Sequence, residues 1–539
     1  MLYQEVIRRC RESREERRDK YAVWRQYYLF GSGLTGNREG IINKIYPHID
    51  QITAFMYSQE TTRFNVNLGA SVSDLEIPKL PIMNRAVNDQ WNNSNADIVF
   101  GQALLWSFVY GSTFVKTIWR GDMPESYVIE PHNFSVLRED VTQLSRQEAY
   151  EHSYWITRSQ LENELASHPS SSEILKDITE QPKRSESTTP GMDRIMTAAY
   201  TPNMVGSVNT DLSTITNLYI PKVAEPMIEM TELYIYDDEL KDMRVVTLAD
   251  PFVVIFDRPI ERMFLKEETP ITQVCPNPAY DYFFGHSEVE RLVPLQDKRN
   301  MRQTEVDHML NMQANPAKNF SGFPGMTDEL ALAMDSPGGY VQSETPGAKV
   351  DSIAPDIPND MFQAIREIDM MFEETSGITN VMSGKGESGV RSTGHASQLA
   401  RLGSSRIKKR ALIIEDSLEK VATLYLKLMR KYDKRMYREE GHSPAEQQVF
   451  IADQLVDDFV VKVDAHSNSP IFMEDQRELV FELFKIKAIT RETLLELLDI
   501  PMKELLKQRL KKEIEPSEAA AQKHADEMER LKHPPKVPH

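Results

Sequence analysis

Apolar residues recur at spacings of three and four along most of this 539-residue chain and alternate singly in a few short stretches. The first pattern predicts amphipathic helices, the second half-buried strands. Tyr3 to Phe30 reads as a helix carrying Arg8, Arg11, Arg14, Arg17 and Arg18 against Glu5, Glu12, Glu15, Glu16 and Asp19. Mixed signs at that density predict a solvated helix laced with ion pairs. Ile41 to Ser58 and Leu80 to Val109 are helical and apolar enough to pack together. Gly111-Ser112 breaks the second of these, and Thr113 to Trp119 then alternates as a strand. After the turn Gly121-Asp122-Met123-Pro124, a partner strand runs from Ser126 to Ile129, giving an antiparallel module on a helical layer.

From His168 to Pro221 the chain is rich in Ser, Thr, Pro and Asn, which predicts a long surface insertion. Strands return at Met227 to Tyr236, Met243 to Leu248 and Phe252 to Phe256, the first two joined by a turn at 237–242. Ser287 to Asn315 forms a helix with apolar ends (Val289, Leu292, Val293; Val306, Met309, Leu310) and a polar middle, Gln296 to Glu305. A helix polar all round either bridges regions or leans on identical neighbours. A second helix follows Pro358, with Asn359 or Asp360 as N-cap, and stops at Gly377; Met361, Ile365, Ile368 and Phe372 make one stripe. Between the two, Ala317 to Ile357 is dense in Gly and Pro, with strand-like pieces such as Tyr340 to Gln342. Thr393 to Asp433 reads as one long helix with Gly403 as the place for a kink. Its second half aligns Ile414, Leu418, Val421, Leu424 or Tyr425, and Leu428. Glu474 to Leu531 is again helical, broken at Pro501 and Pro516, before a Pro/Lys tail. The class expected is α+β, mainly helical.

Charge changes the picture at one place. The chain has a formal net charge of −19, yet Ser388 to Ile414 contains no Asp or Glu and carries Arg391, Arg401, Arg406, Lys408, Lys409 and Arg410. A glycine-rich loop, Ser383 to Gly389, leads into it. The acidic total argues against a conventional DNA-binding protein, which needs a net basic face to displace counterions. Contact with a polyanion is therefore expected to be local and weak. Two cysteines, Cys10 and Cys275, make no disulfide framework or cysteine-based zinc site and fit a reducing cytoplasm during assembly. Met1 to Lys20 is too charged for a secretory signal. Ile98 to Val115 is uncharged but too rich in Gly, Ser, Thr and Gln for a membrane span.

Catalytic motifs fail on inspection. Ser383-Gly384-Lys385 lacks the Ser or Thr after Lys that a phosphate loop requires, and Thr379 occupies the place of its first glycine. Gly31 to Gly36 matches GxGxxG without a preceding strand or a ribose-binding acid. Ser405 to Lys408 matches SxxK without its partner motifs. The histidines form no HExxH, and no Cys/His spacing suits zinc. Adjacent acids such as Asp237-Asp238 and Asp457-Asp458 read as solvated charge. No enzyme activity and no cofactor are expected.

The order of parts resembles the portal proteins (head–tail connectors) of tailed bacteriophages. A helix ending in Tyr110-Gly111-Ser112, the strand from Thr113 to Trp119, and Tyr127 to Phe134 resemble their N-terminal half. Phe284-Gly285-His286-Ser287-Glu288, followed by a polar helix containing Pro294-Leu295-Gln296-Asp297, is similar to their first stem helix. Gly377-Ile378-Thr379 and the Gly/Ser loop ending in Arg391-Ser392-Thr393-Gly394 resemble their tunnel loop and wing helix. Asp464 to Pro470 and Ala488 to Thr493 resemble the passage from wing to crown.

The resemblance implies a subunit with an N-terminal wing (1–286, including the insertion at 168–221), stem helices at 287–315 and 358–376, and a clip at 316–357. It further implies a tunnel loop at 377–392, a long wing helix and β return at 393–473, a helical crown at 474–531 and a tail at 532–539. Such subunits form a homo-oligomeric ring, usually a dodecamer, at one capsid vertex of the virion. Double-stranded DNA passes through it in packaging and ejection without sequence specificity. Terminase, a tail adaptor and the major capsid or scaffolding protein are the implied partners, with no membrane. Assembly would take place in the host cytoplasm. Lys385, Arg391, His395, Lys298 and Arg302 are the channel candidates. Arg401, Arg406, Lys408, Lys409 and Arg410 are candidates for pairing with a neighbouring subunit. Phe320, Phe323, Met326 and Tyr340 are candidates for the clip face. Another structural head or tail protein of a phage is the alternative, and a nucleic-acid packaging enzyme a more distant one.

Overall fold

The computed structural model describes residues 2–33, 41–57, 62–69, 72, 77, 79–166, 171–178, 227–249, 252–314, 316–323, 327, 345–353, 356–376, 405–433, 436–438, 449–451, 455–456, 458–463, 480–486, 488–489 and 494. The chain opens with α1 (Leu2–Phe30) and α2 (Ile45–Met56), then β1 (Phe64–Leu68), α3 (Leu80–Asn93) and α4 (Ala96–Tyr110). The strands β2 (Thr113–Arg120), β3 (Met123–Ile129), β4 (Phe134–Val136) and β5 (Ala149–Thr157) follow, then short helices α5 (Arg158–Glu164) and α6 (Ser171–Asp177). Next come β6 (Met227–Asp237), β7 (Asp242–Ala249), β8 (Val253–Pro259) and β9 (Ile271–Val274). A long helix α7 (Glu288–Ala314), strands β10 (Ala317–Ser321) and β11 (Lys349–Ile353), and helices α8 (Asn359–Ser376) and α9 (Ser405–Tyr432) complete the larger part. The short strands β12 (Met436–Arg438), β13 (Val449–Ile451) and β14 (Phe459–Val463) come last. The fold is α+β, with helices predominating.

The stretch 80–109, expected as one helix, is two. Asn95 sits in the left-handed region (φ 52°) between α3 and α4. Asparagine tolerates that conformation better than other residues with a β-carbon, and the run Asn92-Asn93-Ser94-Asn95 favours a helix end. The fold back lets Trp91 and Phe100 enter one core with α2, α9 and the base of α7. Trp91 donates its indole N–H to Asp97, and Tyr57 donates to the same carboxylate at 3.2 Å.

Two antiparallel sheets lie beside this helical core. One has the order β3-β2-β9, the other β4-β5-β6-β7-β8. Strand β5 pairs with β6 along its whole length, Ala149 with Ile235 through Thr157 with Met227. The segment from 158 to 226 is thus inserted between two adjacent strands of one sheet. Its start is fixed by a capping box at Thr157: the side chain accepts from Gln160 N at 3.3 Å, and Thr157 N donates to Gln160 Oε1 at 3.0 Å. In the turn 237–242, Asp237 accepts from the backbone N–H groups of Glu239 and Leu240 and pairs with Arg244 at 3.0 Å. β1 pairs antiparallel with β14, Phe64 opposite Val463, so residues some four hundred positions apart share a two-stranded sheet.

Helix α1 is solvated only in part. Glu5, Arg8, Arg9 and Glu12 form the expected exposed pairs one helical turn apart. Further along, Arg14 reaches the five-stranded sheet, donating to Ser153 at 2.6 Å and to Glu229 at 3.3 Å. Arg17 is buried, pairs with Glu139 at 3.0 Å, and lies 3.6 Å over the ring of Phe284. Val6, Ile7 and Cys10 pack on Leu233, Val246 and Leu248. Arg11 donates to Thr231 at 3.3 Å, so Arg11, Arg14 and Arg17 dock the helix instead of facing water.

Glu151, fully buried under α1, lies 3.7 Å from Arg14, and neither carboxylate oxygen makes a hydrogen bond. Burial pushes its carboxyl up to about 7, against the pull of Arg14 and Arg11. Between its ordinary value of 4.5 and about 7, the folded chain holds a proton that the unfolded chain releases. Stability therefore falls as pH rises through that window. Glu151→Gln is expected to leave stability near pH 4 unchanged and to raise it at pH 8 by up to about 3 kcal/mol. Thermal melts of both proteins across that range check this; parallel pH profiles would refute it.

Candidate channel-forming helix pair and its anchorage

The motif Phe284-Gly285-His286-Ser287-Glu288 is a lock between the β module and α7. Gly285 adopts φ +65°, and a β-carbon there would lie 2.5 Å from Cys275 Sγ and 2.7 Å from Asn277 O. His286 N donates to Asn277 O at 2.9 Å. Ser287 Oγ accepts from Glu290 N at 3.1 Å, capping α7, and donates to Val109 O at 2.6 Å. Gly111, at φ +96°, closes the other side: a β-carbon there would meet Phe284 O at 2.7 Å. The two glycine motifs thus interlock, and α7 leaves the body in a set direction.

Glu288 is the hub beneath the lock. It is fully buried and accepts from Arg410 of α9 at 3.1 Å and from Asn277 at 3.1 Å. Arg291 approaches to 3.8 Å and His48 of α2 to 3.9 Å. Burial alone would raise its carboxyl, but His48, Arg410 and Arg291 together outweigh burial and hold it below the usual range. One carboxylate therefore ties α2, α7 and α9 together. Arg410, proposed from sequence for pairing with a neighbouring subunit, is buried and bonded within its own chain, because α9 brings it back over the start of α7.

Beyond the hub, the polar middle of α7 is held by the N-terminal segment. Gln296 is buried; it accepts from Lys44 N at 3.0 Å and donates to Ile42 O at 3.0 Å. Asn300 donates to Gly31 O at 2.7 Å, and Tyr27 to Asp297 at 2.8 Å. Gly31, at φ +69°, ends α1 here. The polar stretch bridges regions, one of the two roles expected of it. Helix α8 then packs along α7: Arg299 bonds Asp369 at 2.8 Å, Lys44 pairs with the same carboxylate at 3.3 Å, and Ile368 and Phe372 are buried.

Both helices and the ribbon leave apolar side chains exposed. Leu310 and Met312 of α7, Phe362 of α8, and Val350 and Ile353 of β11 lie towards the ribbon, while Met301 of α7 and Met370 and Met371 of α8 lie beside the Arg299–Asp369 pair; Ile353 is 65 % and Met370 54 % exposed. β11 pairs with β10 as a two-stranded ribbon, Ala317 opposite Ile353. Unlike the stripe read from sequence, only Ile368 and Phe372 of α8 are fully covered, while Met361 and Ile365 are half-buried.

The other sequence-derived candidates fall as follows. Lys298 is exposed on α7, with no ion pair or hydrogen bond among the described residues, and Arg302 pairs with Glu305 at 2.7 Å on the same helix. Lys408 is half-buried and Lys409 exposed on the first turns of α9, where Arg406 also sits. Phe320 lies in β10, and Phe323 just beyond it is half-buried. Lys385, Arg391, His395, Arg401, Met326 and Tyr340 lie outside the described residues, as does the segment 377–404. Glu288, Asn277 and Asp369 were not singled out from sequence as site residues. The available signal for the first was its place in the motif ending at residue 288; nothing local marks the other two. Among the described residues no group of three or more His, Cys, Asp or Glu is placed to hold a metal ion, and no helix is long and apolar enough to cross a membrane.

A helix pair locked to an α+β body thus leaves apolar side chains exposed on both of its helices. A family model described as the phage SU10 portal protein matches residues 107–448, well over half of the chain. The chain belongs to that family: it is a portal protein, a structural and non-enzymatic class. No curated protein matches it. Among solved structures it is similar to a chain of the virion of a native gene transfer agent particle, at 10% identity over 88% of this chain and 92% of that one, TM-score 0.44. A chain of the neck of the native particle, computed with C12 symmetry, is 9% identical over 85% and 91%, TM-score 0.41. One from the neck of the empty particle, computed with C6 symmetry, is 9% identical over 85% and 90%, TM-score 0.43.

Proposed function

We propose that this portal subunit assembles through α7, α8 and the β10–β11 ribbon into a ring, a dodecamer, at one vertex of the virion. The ring conducts double-stranded DNA during packaging and ejection. The observation that carries this is the set of exposed apolar side chains on α7, α8 and the ribbon, among them Met301, Leu310, Phe362, Met370 and Ile353. Apolar side chains exposed along a helix pair are costly in water and are covered when identical subunits stand side by side. In this arrangement α7 and α8 are the stem, 316–357 the clip that meets terminase and later the tail adaptor, and 377–392 the tunnel loop. The body forms the wing, which meets the major capsid or scaffolding protein, and 474–531 forms the crown.

Charge supports the conduit. Each copy brings a formal −19, so the ring repels the phosphate backbone as a whole. A wall that neutralised each phosphate would hold DNA and oppose sliding. Lys385 and Arg391 in the glycine-rich loop, with His395, Lys298 and Arg302, are the positions proposed to touch DNA. Arg401, Arg406, Lys408 and Lys409 are proposed to pair with acidic groups of the adjacent subunit.

Electron microscopy of the purified chain tests the assembly: rings with a central hole wide enough for duplex DNA are expected, and monomers or filaments would contradict it. With Lys385→Ala and Arg391→Ala combined, rings are expected to persist while packaged DNA length or retention changes. Unchanged packaging and ejection would remove these two residues from the channel role.

A further inference from the structure

Helices α7 and α8 each keep one long face uncovered among the described residues, and the two faces differ in charge. On α7, Arg291, Pro294, Lys298, Met301, Glu305 and His308 follow at spacings of three and four, which places them on one side of the helix. All are exposed except Glu305, which is half-buried and matched by Arg302 at 2.7 Å. The net character of this face is therefore basic, with a methionine at its centre. On α8, Asp360, Gln363, Glu367, Met370 and Glu374 follow at the same spacings and are all exposed. They lie on the side away from the buried Ile368 and Phe372, with Arg366 at their border. This second face holds three carboxylates around another methionine.

The heights of these residues match as well as their charges. Helix α7 leads into the ribbon and α8 leads out of it where Ala317 stands opposite Ile353, so the two helices run antiparallel. The bond between Arg299 and Asp369 sets one against the other. At a rise of about 1.5 Å per residue, Lys298 stands level with Met370. Glu367 and Glu374 then lie about one turn to either side of it, within reach of a lysine stem. Met301 stands within about one turn of Met370, and His308 stands level with Asp360. Copies related by rotation about an axis along the pair share these heights, so the α8 face of one copy meets the α7 face of its neighbour in register. Among the described residues Glu367 accepts from the neutral Gln363 at 3.3 Å, and Lys298 has no partner.

We propose that the acidic face of α8 docks on the basic face of α7 in a second copy of this chain, with Lys298 set between Glu367 and Glu374 and Met301 against Met370. This rests on the ring reading and gives the ring a direction. The contact joins two different faces, so it is head-to-tail, the kind that closes into a ring when the rotation allows. A two-fold dimer through α8 would set carboxylate against carboxylate, and like charge opposes it. Lys298 is then neutralised at the seam between copies before DNA enters, and this contact takes precedence over the DNA contact proposed for it.

Charge reversal tests the contact, read by sedimentation velocity of the purified full chain over a range of concentrations. Lys298→Glu and Glu367→Lys, made singly, each turn an attraction at every seam into a repulsion. Each is expected to raise the concentration at which half the chains are in rings by about tenfold. Both side chains are exposed, so neither change disturbs the core. The double variant, which exchanges the two charges, is expected to recover most of that loss. Lys241→Glu, on the exposed turn between β6 and β7, makes the same change in net charge as Lys298→Glu and is expected to assemble like the parent. Single variants that assemble like the parent, a double variant no better than the singles, or an equal loss in Lys241→Glu would overturn the proposal while leaving the ring. A parent chain that forms no ring at any concentration would remove both readings, so the two failures are told apart.

Discussion

Arg410→Ala is expected to destabilise the chain by about 3–5 kcal/mol, the usual cost of leaving one member of a buried ion pair without its partner. Glu288 is fully buried and loses its strongest cationic neighbour, because Arg291 and His48 stand at 3.8 and 3.9 Å while Arg410 stands at 3.1 Å. Scanning calorimetry checks this directly, with a melting temperature lowered by several degrees expected. The Glu288→Leu and Arg410→Met pair gives a sharper measurement. If the two groups are coupled, the double variant loses less than the sum of the two single losses. An Arg410→Ala protein that melts with the parent would show that Arg410 is dispensable. The same hub has an acid limit. Its folded-state carboxyl is held below the unfolded value, so its contribution is present above that value and is lost as pH falls through the folded one.

Gly285→Ala is expected to cost about 3 kcal/mol, combining about 1–2 for a left-handed backbone with about 1–3 for overpacking. The added methyl would sit 2.7 Å from Asn277 O, a backbone atom that already accepts from His286 N and cannot retreat cheaply. Gly121→Ala separates the two contributions. Gly121 also has a positive φ, +62°, but nothing lies within 4 Å of a β-carbon there. Its alanine variant is expected to show the conformational cost alone, about 1 kcal/mol. Comparable melting temperatures for the two variants would mean that the lock yields without strain. A loss confined to Gly285→Ala, together with reduced ring formation, would link the direction of α7 to assembly.

Both effects arise at a motif that was visible in the sequence before its physical role was. Gly285 and Gly111 were legible as helix breakers and motif positions. That Gly111 closes against the segment holding Gly285 depended on a contact across more than 170 positions. Helices α1, α7 and α8, and strands β2, β6 and β7, were readable because their periodicity is local. The break at Asn95 was present in the sequence but outweighed by the apolar pattern around it. Arg14 and Arg17 misled for the opposite reason. A run of mixed charge reads as solvated, and only docking against Ser153, Glu229, Glu139 and Phe284 shows that Arg17 is buried and Arg14 partly so. The same holds for Arg410, one of six basic residues in an acid-free stretch, which folds back onto Glu288.

By itself the sequence determined the element types, the absence of a recognisable catalytic motif, the acidic balance with its one basic stretch, and the order of parts that resembles a portal subunit. These follow from local spacing and composition, which need no knowledge of what lies across the chain. The tertiary structure alone decided the pairing of β1 with β14, the adjacency of β5 and β6 across the insertion, and the hub at Glu288. Each depends on non-local approach. A strand's partner and a buried charge's counterion are chosen by the packing of the whole chain, and no window of neighbouring residues encodes them.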